Sequence, residues 1–411
     1  MSINTPHQNP GSEESPMHIL YYLNQFPKIS ETFVLNEIRE LQRLGHRVTV
    51  VSLKDAETDI IHDEFEELDI DIHYISYPSA RDIVSLATYL PRLPAARFGD
   101  GARAITRRLA IRYLFLRTLQ VVSSLDTTPD LIHSHFLDWP KHAAAAVSDL
   151  VSIPFTVTAH AFGLFRDINI DGTTSLLNQA TAVVTISEYN QDYIEETFHT
   201  DTPVHVIHTG IRPDKFSGSV DAGEATTILS VCRFVEKKGI EYSLRAISEL
   251  VDNHPEITYH LIGSGELETE LRQLCSELEI EDNVMFLGSV SDERLLDELS
   301  SCGIFVLPCV IASDGDRDGI PVVLMEAMAM QRPVVTTNVS GITELVSDEV
   351  NGLVVPPRDA ATLATAIDDL LADDERRREF GKMGREKVVE SFDIRKQSRV
   401  LLDLFTSLVQ Q

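Results

Sequence analysis

The chain reads as an α/β protein of two doubly wound lobes, each a parallel sheet covered by helices, and three features carry that expectation. Its 411 residues, 43% hydrophobic and 24% charged, suffice to bury two separate cores. Strand, loop and helix signals alternate along the chain, as parallel sheets require. Residues 217–225 are small, polar and acidic, and they divide that succession in two.

Residues 1–16 are polar, with three prolines and two glutamates, and are expected to be a disordered tail. Order begins at Met17. The run 18–24 is the first strand, Ser30 an N-cap, 31–44 a helix stopped by Gly45, and 47–53 the next strand, giving a βαβ opening. Its first turn lacks the glycine-rich fingerprint of nicotinamide enzymes, which weighs against a dehydrogenase. Further strands are expected at 129–135, 153–160, 182–187 and 204–208, with Ser187 capping a helix from Glu188. His133 and His135 are read as pointing to opposite faces of their strand, hence a poor metal pair, with His133 structural. His160 closes its strand before a small-residue turn, where a side chain faces a cleft; a core role is the competing reading.

Between 81 and 120 the charge reverses. Arginines 81, 92, 97, 103, 107, 108, 112 and 117 stand against Asp82 and Asp100, a local balance of +6. Leu109, Tyr113 and Leu116 fall at helical spacing opposite the arginines, so the segment suits an anionic membrane surface. An ordinary surface helix pairing with this chain's many acids competes evenly.

In the second half a strand at 226–231 precedes Arg233 and Lys238, five residues apart across a turn into a helix from Ile240. Cations at a helix start oppose its dipole unless an anion is bound, and with free N–H groups they suit a diphosphate. Lys237 is read as solvent-facing. A strand at 258–262 leads into Gly263-Ser264-Gly265, then come a helix at 266–278 and a strand at 284–288. A buried strand at 303–308 empties into an acidic loop at 312–319, followed by a helix from Pro321 that carries Glu326. A strand at 333–337, an edge strand at 351–357 and helices at 360–372, 374–388 and 391–409 complete the chain.

The acidic loop has two bland readings. Asp314, Asp316, Asp318 and Gly319 open like a calcium loop, but its twelfth position is Met325 and Glu326 falls one residue late. An acidic surface turn without a ligand is the other. Neither accounts for the cation pair upstream.

Asp318-Gly319-Ile320-Pro321 with Glu326, the R-x4-K-G pattern at 233–239, the T-x-H at 158–160 and the opening FPKISETFVLNEIRELQRLGH resemble one family. It is the retaining, nucleotide-sugar-dependent glycosyltransferases of family 4, GT-B type, closest to exopolysaccharide and colanic-acid-type enzymes. The resemblance implies two Rossmann-like domains facing across a cleft, with a C-terminal helix crossing back to the first. The divisions are then a tail 1–16, an acceptor domain 17–212, a linker 213–225, a donor domain 226–390 and the crossing helix 391–411.

By the same resemblance, Arg233 and Lys238 hold the donor diphosphate, Asp318 with Gly319 and Ile320 holds the donor sugar, and Glu326 binds the ribose. Gly263, Gly265 and Val290 lie around the base. His160 contacts the transferred sugar, while Ser30, Glu31 and His135 line the acceptor side. Catalysis falls to His160, Asp318, Arg233 and Lys238, with no metal and no cofactor. One position departs: the family usually has Glu where this chain has Asp318. The implied reaction moves a hexose from a nucleoside diphosphate sugar to a glycan or lipid-linked glycan with retention. A nucleotide-sugar epimerase of the same fold and a non-catalytic nucleotide-sugar-binding relative are the competing readings.

A formal charge of −29 argues against nucleic acid as a partner and suits a chain kept soluble in high salt, hence a halophilic source. Cys232, Cys275, Cys302 and Cys309 have no metal-type spacing and read as core residues in a reducing compartment. With no apolar run of membrane-spanning length and no signal-peptide core, the expected place is the cytoplasm, peripheral on the inner face of the membrane through 81–120.

Overall fold

The computed structural model describes residues 15–28, 31–55, 65, 68–82, 102–166, 169–217 and 224–411. Fourteen strands form along them: β1 His18–Leu23, β2 Arg47–Ser52, β3 Asp71–Tyr74, β4 Leu131–His135, β5 Phe155–His160, β6 Phe165–Arg166, β7 Ala182–Thr185, β8 Val204–Val206, β9 Glu224–Val231, β10 Thr258–Ile262, β11 Val284–Gly288, β12 Cys302–Leu307, β13 Val334–Thr337 and β14 Leu353–Val355. One parallel sheet has the order β3-β2-β1-β4-β5-β7-β8 and the other β11-β10-β9-β12-β13-β14; the two-residue β6 lies in neither. These are the two covered parallel sheets that the sequence predicts.

The central strands β1, β4, β5 and β12 are buried along their whole length, as sheets covered on both faces demand. Strand β3 was not expected. It is an edge strand of sequence DIHY, exposed or half-buried throughout, so it carries no apolar run to find. The helix Thr32–Arg43 buries Val34, Ile38 and Leu41 at a four- and three-residue spacing. Glu31 occupies its cap position without a side-chain capping bond. Ser30, expected there, lies outside the described residues.

The helix Ile394–Val409 buries Leu401, Leu402 and Phe405 in the core that contains Ile19, Tyr21 and Ile38 of the first sheet and its first helix. Each such side chain contributes on the order of 2 kcal/mol by burial. The crossing is fixed by Ile211 N donating to Phe392 O at 3.0 Å and Ile394 N donating to Ile211 O at 2.8 Å. Among the described residues no helix is long and apolar enough to cross a membrane. The four cysteines form no disulfide.

Strand order reverses beside the first strand of each sheet, between β1 and β4 and between β9 and β12. At such reversals the loops leaving the strand ends diverge and open a crevice. Of the predicted site residues, Glu31 follows β1, Arg233 and Lys238 follow β9, and Asp318, Gly319 and Ile320 follow β12.

Candidate active site

After β9 the chain makes a single tight turn, Glu236–Lys238, and Gly239 follows at φ 65°. A Cβ at 239 would lie 2.0 Å from Pro308 O, so only glycine lets this turn rest on the end of β12. That contact brings three successive side chains onto the acidic loop. Glu236 accepts from Ser313 N at 2.9 Å and Ser313 Oγ at 2.7 Å. Lys237 Nζ pairs with Asp316 at 3.1 Å and Asp318 at 3.3 Å, and Lys238 Nζ with Asp318 at 2.5 Å. Lys237, expected to face solvent, is instead drawn in by two carboxylates.

Burial alone would raise the Asp318 carboxyl; Lys238 and then Lys237 outweigh it and hold the group well below the usual carboxylate range. Burial likewise disfavours the Lys238 ammonium, and Asp318 more than restores it, so Lys238 is held above its ordinary value. The Cys232 thiol, pushed up to about 12 by burial, feels Lys238, Asp318 and Arg233 together. These three charges therefore converge where β9 meets β12.

The glycine turn after β10 lies against the same segment. A Cβ at Gly263 would come within 1.8 Å of Cys232 O, and one at Gly265 within 2.4 Å of Phe234 O, so neither side chain fits beside the backbone that carries Arg233. Arg233 itself is exposed. Ile320 is buried and Val290 packs on the same core. Glu326 is half-buried on the helix Val322–Ala329, which begins one residue after Pro321.

Across from this, His160 ends β5 with its ring 4.7 Å from those of Phe33 and Phe136 and stacked on His135 at 5.2 Å. His160 Nε2 lies 2.9 Å from His135 Nδ1, and His135 Nε2 lies 3.1 Å from Glu37 Oε1, which also accepts from the Tyr21 hydroxyl at 2.7 Å. His135, expected on the acceptor side, is 1% exposed and sits behind His160. The opposite-face reading of His133 and His135 is corrected: residues two apart in a strand share a face, and these rings are 4.9 Å apart. His133 is structural as expected, held by Thr156 at 2.8 Å and Thr158 at 3.1 Å.

Glu37, His133 and His135 offer three ligand atoms within 4.8 Å of one another. Hydrogen bonds to Tyr21, Thr158 and one another already occupy those atoms, which suits a proton-ordered network better than a metal's ligand set. Glu37 and Tyr21 escaped the sequence reading. The available signal was a carboxylate on the buried stripe of the first helix, between Val34, Ile38 and Leu41.

The lobes touch around this crevice. Glu344 accepts from the backbone N–H groups of Glu188 and Tyr189, each at 3.0 Å. Arg317 donates to Tyr189 Oη at 3.1 Å and covers the Phe165 ring at 4.7 Å. Gly319 lies beside Ile186, and Gly341 beside Ser187. A groove of about 770 Å³ between β8 and the crossing helix contains none of the predicted site residues.

A family model described as Glycosyltransferase Family 4 matches residues 30–215, and one described as Glycosyl transferases group 1 matches residues 212–387. The chain is 27% identical over 420 residues to WcaL of Salmonella typhimurium, a glycosyltransferase named for colanic acid biosynthesis, covering 95% of this chain and 100% of that one. It is 28% identical over 370 residues to the amylovoran biosynthesis glycosyltransferase AmsK of Erwinia amylovora, covering 85% and 90%. Among solved structures, a glycosyltransferase from Rickettsia africae aligns with a TM-score of 0.74 at 16% identity, covering 97% of this chain and 100% of that one. Anabaena Alr3699/HepE, crystallised with UDP and glucose, aligns at 0.74 and 20% identity, covering 95% and 100%. The chain is a nucleotide-sugar-dependent glycosyltransferase of GT-B fold, related to family 4 and to the colanic acid and amylovoran biosynthesis enzymes.

Proposed function

We propose that the protein moves a hexose from a nucleoside diphosphate sugar to a hydroxyl of a glycan or lipid-linked glycan in polysaccharide assembly, with retention at the anomeric carbon. The observation that carries this reading is the turn 236–239 locked onto the acidic loop, with Lys238 and Arg233 at the β9/β12 reversal beside the glycine turn. The names of WcaL and AmsK, and the UDP and glucose of the Anabaena structure, support the same reaction class.

In this reading negative charge grows on the leaving diphosphate as the bond to the sugar breaks. Arg233, Lys238 and nearby N–H groups stabilise it where it develops, without reorganising at that moment. Asp318 with the backbone of Gly319 and Ile320 holds the sugar, Glu326 the ribose, and Gly263, Gly265 and Val290 surround the base. His160 meets the sugar from the opposite lobe, with Glu31 and Ser30 toward the acceptor. Closure of the lobes orients the reactants and excludes water.

Incubation with a panel of sugar nucleotides and acceptors, following nucleoside diphosphate release, tests the proposal. Arg233→Ala and Lys238→Ala should each slow turnover by orders of magnitude. An effect under about threefold, ~0.7 kcal/mol, rejects their role. Donor converted without acceptor into a different sugar nucleotide would mark an epimerase instead.

Two finer statements belong to the same proposal. The helix Ala102–Ser124 turns Leu109 and Tyr113, expected on a membrane-facing side, into the core, and leaves Arg107 and Arg117 exposed; those arginines alone support a peripheral place on the cytoplasmic face of an anionic membrane. Reversing Arg107 and Arg108 to Glu should release the protein from anionic liposomes, and unchanged co-sedimentation removes the idea. The charge of −29 supports a high-salt cytoplasm as its setting; maximal activity in dilute buffer counts against it.

A further inference from the structure

We propose that Glu37 is a positioning residue that sets, through His135, the tautomer of His160, so that His160 Nδ1 presents a hydrogen-bond acceptor to a hydroxyl of the donor sugar. This rests on the reading above that His160 touches that sugar.

With Glu37 ionised, the hydrogen-bond chain has one consistent polarity. An ionised carboxylate only accepts, so the Tyr21 hydroxyl and His135 Nε2–H both donate to Glu37 Oε1, at 2.7 and 3.1 Å. A neutral imidazole with its hydrogen on Nε2 has a lone pair on Nδ1. That lone pair accepts from His160 Nε2–H at 2.9 Å, which leaves the lone pair of His160 on Nδ1. Among the described residues that nitrogen has no hydrogen-bond partner.

The rings are neutral and fixed. Burial drives His133 and His135 down to about 3 and His160 well below its ordinary value. Burial also raises the Glu37 carboxyl, offset in part by His133 and the Tyr21 hydrogen bond. Phe33 and Phe136 hold the His160 ring, and His135 stacks on it at 20°. The two threonines tie off His133, which approaches Glu37 only to 3.7 Å.

Polarity matters to the reaction. A sugar hydroxyl whose hydrogen is held by an acceptor keeps more electron density on its oxygen and so favours an oxocarbenium-like transition state. An N–H donor at the same point would act in the opposite sense. Glu37→Gln keeps the shape but offers His135 either a donor or an acceptor, so the chain loses its direction.

Long-range ¹H–¹⁵N correlation spectra of the full-length protein, with His160→Gln to assign the signal, read the tautomer without substrate. The expected result is hydrogen on Nε2 of His160 in the wild type and a mixed or reversed state in Glu37→Gln. In that variant kcat should fall about thirtyfold, with the donor KM within about threefold of wild type. Hydrogen on Nδ1 in the wild type, or wild-type tautomer and kcat in Glu37→Gln, overturns the inference. Should Glu37→Gln fail to fold, His135→Asn keeps an acceptor beside His160 but severs it from Glu37; a mixed tautomer and about a tenfold lower kcat support the chain, and wild-type values overturn it. No nucleoside diphosphate release by the wild type from any donor would strike the reading of the site itself, whereas an unchanged tautomer strikes only Glu37.

Discussion

Lys238 Nζ and Asp318 Oδ2 stand 2.5 Å apart on loops that leave two adjacent strands, 80 residues apart in sequence. Both side chains are largely buried, at 13% and 14% exposure, so each charge depends on the other. Lys238→Ala should therefore cost up to about 3 kcal/mol of stability as well as turnover, because it leaves Asp318 only the longer 3.3 Å pairing with Lys237. Lys238→Ala with Asp318→Ala should recover much of the stability and none of the turnover. Urea unfolding and diphosphate release separate the two effects; a double variant no more stable than Lys238→Ala would show that the charges are not coupled.

The same pair predicts what pH does not change. Asp318 is held low, so its contribution is present above the usual carboxylate range and is lost only as pH falls well below it. Lys238 is held high, so its contribution is full below its ordinary value and is lost only as pH rises past it. Both stay charged between about pH 5 and 9. The pH profile of donor KM should lack a limb from this pair, and a Lys238-dependent limb near neutrality would contradict the pairing.

The histidine cluster behaves in the opposite way. Burial holds His133 and His135 down at about 3 and His160 well below its ordinary value, whereas unfolded histidines take up protons below 6.5. Stability is thus full above pH 6.5 and lost as pH falls toward 3, on the order of 2 kcal/mol per histidine by pH 5. Glu37, held high, binds its proton more tightly when folded and returns part of that loss at low pH. Unfolding free energy measured from pH 7.5 to 5.0 should drop by several kcal/mol. A flat curve would mean that these rings are charged in the native state.

What could be read from sequence was local. Arg233, Lys238 and the glycines at 263 and 265 sit within a few residues of a strand end, where spacing alone suggests a phosphate grip. Lys237 was misjudged because its partner Asp316 lies 79 residues away, and nothing in a run of two lysines says that both turn inward. Strand β3 was invisible because an edge strand needs no apolar face. Glu37 was legible only as an anomaly, a carboxylate among Val34, Ile38 and Leu41, and its meaning depends on β1 and β4 bringing Tyr21 and His135 to it.

Glu344 caps the helix Glu188–Phe198 from the opposite lobe, adding its carboxylate at the end where unpaired N–H groups favour negative charge. Glu344→Ala should favour an open arrangement and raise the donor KM on the order of fivefold. Gly341→Ala should act more strongly, since its Cβ would lie 2.7 Å from Ser187 Cβ. Small-angle scattering should show both variants extended relative to wild type. Superimposable profiles with an unchanged KM would remove closure from the role of these contacts.

Gly239 is where fold and site meet. Alanine there must hold a left-handed conformation, at about 1–2 kcal/mol, and must also clear Pro308 O, which its Cβ would approach to 2.0 Å. The turn can relieve that clash only by lifting off β12, and Lys237 and Lys238 move with it. Gly239→Ala should therefore fold yet lose turnover about as severely as Lys238→Ala. Gly384→Ala, inside the helix Asp374–Ser391, is the contrast: its Cβ would make ordinary contact with Met328 at 3.4 Å. Removing a helical glycine there should add roughly 0.5–1 kcal/mol of stability and leave turnover unchanged. Wild-type turnover in Gly239→Ala would mean that something other than this turn places Lys238 beside Asp318.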